Sequence, residues 1–216
     1  MNKIIKSLAL MSAAVFSVIS CETYKVDDPE MTAISKIDGK YVTFAYENGS
    51  TQPSTVFAVL ITNTTFNDSD KAWVTITDLN PAATSLNSTL YLDAVRFKVD
   101  VNLKEQTFTC SGITATEPRT AWNPYLEGAG SGQGGYYTAA TKLGYKDYTI
   151  SFSGKIVTGG TTGTNNNKID TIEIDSYSRA YPDGTVKKYV VKGMKYTGWD
   201  DEMKEYNDFV NENKFK

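Results

Sequence analysis

Histidine is missing from all 216 residues. Without it there is no base for Ser-His-Asp or Cys-His catalysis, and the commonest ligand of zinc and copper sites is gone. The chain also contains no GxSxG elbow and no GxxxxGK[ST] phosphate loop. Cysteine is scarce: Cys21 and Cys110 allow at most one bridge. Basic residues are not in excess, 22 against 25 acidic for a net charge of −3, which argues against a nucleic-acid partner. These absences predict no catalytic residue, no metal and no cofactor, and lean away from an enzyme.

What is present begins with Lys3 and Lys6, followed by an uncharged run, Ser7–Ser20, broken by serines at 7, 12, 17 and 20. A membrane helix needs roughly 20 apolar residues, so this is a secretory n-region and h-region rather than a span. Val18-Ile19-Ser20-Cys21 resembles the bacterial lipobox. The resemblance implies a diacylglycerol on the Cys21 sulfur, cleavage before it and acylation of the new amine. Several acyl chains hold a protein in a membrane where a single one does so only marginally. Residues 22–36 are polar and without a clear period, a tether. Asp27-Asp28 within it resembles the surface-export signal of lipoproteins in some Gram-negative anaerobes, although a plain solvated linker reads the same way. The expected organisation is therefore a signal peptide over 1–20, a lipidated tether over 21–36 and a single domain over 37–216. Removing 1–20 takes Lys3 and Lys6 away and moves the net charge to −5. With Cys21 lipidated, Cys110 has no partner and reads as a small buried hydrophobe on the strand face of Phe108.

The body alternates. Val95, Phe97, Val99, Val101 and Leu103 alternate with Arg96, Lys98, Asp100 and Asn102, and Tyr148, Ile150, Phe152, Gly154 and Ile156 do the same over 148–156. Period two over such lengths means strands with one buried face. Further strands are expected over Lys40–Glu47, Thr55–Asn63, Ala72–Thr77, Gln106–Gly112, Ile169–Tyr177 and Thr185–Gly193. Tyr181-Pro182-Asp183-Gly184-Thr185 is a turn, with proline presetting φ and glycine taking the left-handed position. The fold class is all-β: an antiparallel calycin- or lipocalin-like barrel of about eight strands, because closure removes exposed edges, with a β-sandwich as the alternative. Met203, Tyr206, Phe209 and Val210 mark a short C-terminal amphipathic helix.

Other motifs carry little chemistry. Gly130-Ser131-Gly132-Gln133-Gly134-Gly135 satisfies GxGxxG but has no βαβ unit around it, and Gly159–Asn167 reads as a hairpin loop. A glycosidase needs only two carboxylates; Asp170, Glu173, Asp175, Asp200, Asp201 and Glu202 sit at polar-face or terminal positions, where solvation is the simpler role.

Tyr189-Val190-Val191-Lys192-Gly193-Met194-Lys195-Tyr196-Thr197-Gly198-Trp199-Asp200-Asp201-Glu202 resembles the ending of a family of anaerobe lipoproteins called lipid-binding putative hydrolases. The order of the parts agrees: lipobox, Gly39-Lys40-Tyr41-Val42 opening the first strand, the Val95–Leu103 strand leading to Phe108, and this ending. Where such proteins often carry tryptophan in the opening strand, this one has Tyr41 and Val42. The resemblance implies a calycin-like barrel; its hydrolase label brings no catalytic motif onto any residue here. Gly193 and Gly198 would permit a bend or close backbone approach at the rim, with Trp199 plugging one end.

The functional expectation is an outer-membrane, surface- or periplasm-facing lipoprotein that binds a small apolar or amphipathic ligand as a monomer. Its interior would be apolar throughout. Candidate ligand-binding residues are Phe97 and Phe152 inside, and Trp122, Tyr125, Tyr136 and Tyr137 at the entrance, flanking a glycine-rich segment. One alternative is a glycan-binding accessory lipoprotein, stacking sugars on Trp73, Trp122, Tyr125, Tyr136 and Tyr137; a carboxylate-dependent hydrolase is the other. The first prediction concerns maturation: Cys21→Ala should release the protein from membranes and abolish processing before residue 21, read by fractionation and by the mass of the N-terminal peptide. A variant still membrane-bound and cut at the same place would refute lipidation.

Overall fold

The computed structural model describes residues 31–79, 92–115, 120–122, 136–138, 143–144, 148–181 and 184–213. The expected signal segment, Cys21 and the expected tether up to residue 30 lie outside them, as do Tyr125 and the 130–135 glycines. Eleven strands are described. They are β1 Gly39–Glu47, β2 Thr55–Asn63, β3 Lys71–Asp78, β4 Leu92–Asn102, β5 Thr107–Thr114, β6 Thr120–Trp122, β7 Tyr136–Thr138, β8 Leu143–Gly144, β9 Thr149–Thr162, β10 Lys168–Ala180 and β11 Val186–Lys195; one helix, α1, spans Asp200–Asn213.

Eight of them form the barrel expected from the alternation. The order is β3-β2-β1-β11-β10-β9-β5-β4, and β3 pairs with β4 to close the ring, so every barrel neighbour is antiparallel. The β5–β9 connection carries β6 and β7, which pair with each other, and β8, which pairs in parallel with Leu92 and Asp93 of β4. Connections 48–54, 79–91, 115–148 and 181–185 leave one end of the barrel, while 64–70, 103–106, 163–167 and 196–199 leave the other. The chain enters β1 at this second end, called here the N-terminal end.

Inward residues follow the pleat: Phe57, Val59 and Ile61 on β2, Val74 and Ile76 on β3, Val95, Phe97 and Val99 on β4, Ile150, Phe152 and Ile156 on β9, all buried in one cluster. Aromatic rings meet at its centre. Phe152 lies 5.1 Å from Phe97, 5.4 Å from Phe108 and 5.6 Å from Tyr177, centroid to centroid. Such pairs contribute roughly 0.5–1.5 kcal/mol each beyond their burial.

Glycines let strands approach, Gly154, Gly160 and Gly193 among them. A Cβ on Gly193 would overlap the Val42 carbonyl oxygen, because β11 lies hard against β1 there. That close approach is the one expected, but it lies within a strand rather than at the rim. Gly160 would overlap Thr171, so the segment expected as loop from Gly159 runs on as β9 to Thr162. The turn itself is Gly163–Asn167, with Gly163 donating to the Asn167 carbonyl at 2.9 Å and Asn166 at φ 63°.

The helix lies outside the barrel. Tyr206 stacks on Phe44 at 4.5 Å and Phe209 meets it edge-on at 5.6 Å, while Met203 and Tyr206 bury against Val42, Val56 and Ala58. Asp200, Asp201 and Glu202 in its first turn complement the positive end of the helix dipole. Trp199 does not plug the barrel: it is 61% exposed.

The N-terminal end is stopped instead by the turn over 32–38. Ile34 and Ile37 are fully buried in the main cluster, and Tyr41 donates its hydroxyl to the Ile37 carbonyl at 3.1 Å. Asp38 and Ile37 both donate backbone N–H groups to Ile34. Residues 32–36 of the expected tether are thus built into the fold, since Ile34 is one of its core side chains. Ile34→Ala should cost about 2–5 kcal/mol, measured by denaturant unfolding, and a chain begun at Lys36 should lose a similar amount. Unchanged midpoints for both would return residues 32–36 to the tether.

A buried guanidinium at the far end of the barrel

The barrel interior is not apolar throughout. Arg179, on β10, is 1% exposed and lies inside the main cluster. Its guanidinium carbon stands 5.0 Å from the ring centres of Phe57 and Tyr177, 5.6 Å from Tyr148 and 5.9 Å from Tyr189. Its Nε donates to the Tyr177 hydroxyl. Burying a cation is costly; aromatic faces return part of that cost through cation–π attraction. Arg179 pairs in register with Ile150 and Lys187, which places it toward the end from which the 79–91 and 115–148 connections leave.

Sequence alternation hides this residue because β10 changes phase. Ile172 and Ile174 face inward as even positions; a bulge across Asp175 and Ser176 then turns Tyr177 and Arg179 inward as odd ones. A second irregularity lies at Asp170, whose carboxylate accepts from the Gly159 N–H at 2.9 Å, with Gly159 in the left-handed region at φ 61°. The legible signal was the odd spacing from Ile174 to Tyr177.

The wall near this site is uneven. Among the described residues, β4 pairs with β5 through Asp100–Asn102 and Thr107–Thr109; farther on, β4 stays with β3 and β5 stays with β9. β5 carries a bulge between Cys110 and Ile113 at that point. A wedge therefore separates β4 from β5 toward the far end. Phe97 and Phe152, two of the expected ligand contacts, are both 1% exposed and packed ring to ring at the level of this wedge. Trp122, Tyr136 and Tyr137 belong to paired strands, with Trp122 opposite Tyr136 and Ala121 opposite Tyr137, where a loop was expected. The β6 backbone runs close to β2 and β3; these three side chains lie outside the described residues.

Trp73 is partly buried, and Arg96 and Lys98 from β4 stand over its ring at 4.4 and 5.1 Å, so that face is already occupied. The carboxylates do not converge inside the barrel. Glu173 faces outward and pairs with Lys155 at 3.1 Å, Asp100 pairs with Lys71, and Asp175 is exposed on the bulge. Two outer grooves flank that bulge: one of about 340 Å³ between Asp100, Thr109, Ser153 and Asp175, the other of about 370 Å³ between Asn48, Asp175 and Lys188. Among the described residues no group of three or more Cys, Asp and Glu is placed to hold a metal.

Cys110 is a free thiol, half-buried against the main cluster, and burial pushes it up to about 11. At neutral pH it is a protonated packing group. Burial also pushes Tyr41, Tyr189 and Tyr206 well above the ordinary tyrosine value, opposed at Tyr189 by Arg179.

A protein-family model described as lipid-binding putative hydrolase matches residues 26–200. No curated protein matches the chain. A solved structure of a structural-genomics protein of unknown function from Bacteroides ovatus is similar at 11% identity and a TM-score of 0.36, over 74% of this chain; the chain spans 42% of that protein.

A pH prediction follows from the buried tyrosines. Their folded values are raised, so their contribution is fully present below the ordinary value near 10 and is lost as pH rises above it. There the unfolded state gives up protons that the folded state keeps. Each such tyrosine should lower stability by about 1.4 kcal/mol per pH unit, and Tyr206→Phe should flatten the alkaline limb of denaturation midpoints by one such slope. An unchanged limb would refute it.

Proposed function

Because the chain belongs to the family of lipid-binding putative hydrolases, we propose that it is a lipid-anchored binding protein that takes a small amphipathic ligand at the far end of its barrel. Arg179 carries this reading: a cation held among Phe57, Tyr148, Tyr177 and Tyr189, at the end reached by the wedge between β4 and β5. Deeper in, Phe97, Phe108 and Phe152 fill the barrel ring to ring and form a floor. A ligand would then set its apolar body against the inward side chains Val95 and Ile150 and its anionic head toward the guanidinium. Apolar contact contributes about 25 cal/mol per Å² removed from water, and the headgroup decides among ligands of equal chain length.

Anchoring rests on Val18–Cys21, and an outer-membrane, surface-facing address on the acidic pair Asp27-Asp28. The glycan reading loses Trp73, whose ring is covered by Arg96 and Lys98. The hydrolase reading loses Asp100 to Lys71 and Glu173 to Lys155.

The test is displacement of an environment-sensitive apolar dye from the full chain. A straight-chain carboxylate should displace it about tenfold better than the alcohol of equal length, a difference of about 1.4 kcal/mol. Arg179→Gln should erase that preference, and Trp122 or Tyr137 substitutions should weaken dye binding. A folded chain that binds no dye and is retained on a polysaccharide column would overturn the proposal in favour of glycan binding.

A further inference from the structure

Among the described residues four large apolar side chains stand exposed: Phe66 at 87%, Met31 at 70%, Trp199 at 61% and Val186 at 48%. Singly exposed apolar residues are ordinary, so placement decides whether they mean anything. Val186 opens β11 at the far end. Phe66 lies in the 64–70 connection after β2, and Trp199 in the 196–199 connection after β11. β2 and β11 are the two neighbours of β1, so both aromatics stand at the N-terminal end, one on each side of the strand by which the chain enters the barrel.

Ordered backbone holds each of them outward. Around Phe66, the Thr64 hydroxyl donates to Asp68 at 2.7 Å and accepts from the Asp68 N–H at 3.1 Å, Asn67 donates its N–H to the Thr64 carbonyl, and the Asn67 side chain accepts from Ala33 at 2.8 Å. Around Trp199, Gly198 takes φ 79°, the Trp199 N–H donates to the Thr197 hydroxyl at 3.3 Å, and its carbonyl accepts from Glu202 and Met203 to start the helix. Neither ring is exposed through fraying; both are presented by fixed turns.

We propose that Phe66 and Trp199 form a membrane-docking edge that seats the N-terminal end of the barrel on the bilayer holding its own lipid anchor. This rests on lipidation of Cys21. Ten residues separate Cys21 from Thr32, so the barrel entry stays within about 40 Å of the anchor even with the chain fully extended. Tryptophan prefers the headgroup boundary, where its ring is buried at one side and wet at the other, and phenylalanine beside it inserts on the apolar side. Asp68, Asp70, Asp200 and Asp201 flank the two rings, which disfavours anionic headgroups and makes the contact one of ring insertion rather than of charge. Docking this way turns the Arg179 end away from the membrane, toward ligand in the surrounding medium.

The test uses the lipidated full chain in phosphatidylcholine vesicles carrying brominated acyl chains, with tryptophan emission as readout and flotation as the control for anchoring. Wild type should lose emission that Trp199→Phe does not lose. Phe66→Ser should shrink that difference, Val186→Ser should leave it unchanged, and adding phosphatidylglycerol should not enlarge it. Because all three positions are exposed, these variants keep the fold. Vesicles that float with the protein but quench Trp199→Phe and wild type equally would overturn docking and leave lipidation standing. Protein that does not float at all would overturn lipidation, and docking with it. Trp199 that is unquenched yet crosslinks to a second copy or another protein would assign this edge to a protein interface and overturn the membrane proposal.

Discussion

β1 pairs with β11 from Tyr41–Lys195 to Glu47–Tyr189, joining the first barrel strand to the last. Without that pairing the other seven contacts would make a curved open sheet with two exposed edges, an aggregation hazard. The pairing requires β11 to lie against the Val42–Thr43 backbone, which only a glycine at 193 permits. Closure then does three things at once. It encloses the Phe97–Phe108–Phe152 stack, it sets Val42 and Phe44 on an outer wall for α1 to cover, and it gathers the 64–70 and 196–199 connections beside the entry turn at 32–38.

The eight barrel strands were legible because strict alternation survives where a sheet has one wet face. β2 occupies the expected Thr55–Asn63, and most other expected strands differ by a residue or two at their ends, where pairing rather than pattern sets the limit. The reading failed where the backbone leaves period two. In β9 and β10, Gly159, Asp170 and the Asp175–Ser176 bulge shift register, so loop was expected where strand continues and Arg179 fell beyond the end of the expected Ile169–Tyr177 strand. Burial of Ile34 was hidden for another reason: seven residues of hydrogen-bonded turn carry no periodicity, and two isoleucines three apart between polar neighbours look like linker. Trp199 shows the converse, since a large aromatic beside a glycine reads as a plug although Ile34 and Ile37 already occupy that end.

Arg179 changes what the barrel is good for. A cavity lined by carbon alone selects ligands by size and hydrophobicity. A guanidinium five to six ångströms from four aromatic rings adds a fixed positive field in surroundings of low dielectric, where charge discriminates far more strongly than in water. The same rings keep its geometry rigid, so its position need not be bought again on binding. The Asp175–Ser176 bulge of β10 is what turns it inward, and bulges recur near functional sites for that reason.

The two ends of the barrel are thereby unlike in kind. One is stopped by a short turn with its core isoleucines, bordered by brief connections and two outward aromatic rings. The other carries the buried cation, the wedge between β4 and β5, and the long connections 79–91 and 115–148. An eight-strand meander alternates its connections between the two ends by necessity, so the chain that starts β1 and the connection that follows β11 must both lie at the end opposite the first hairpin. That parity alone separates the end where the chain enters from the Arg179 end by the height of the barrel. Under the anchoring proposed above, a tether attached at residue 32 would hold the protein without occupying the end where a ligand would meet the guanidinium.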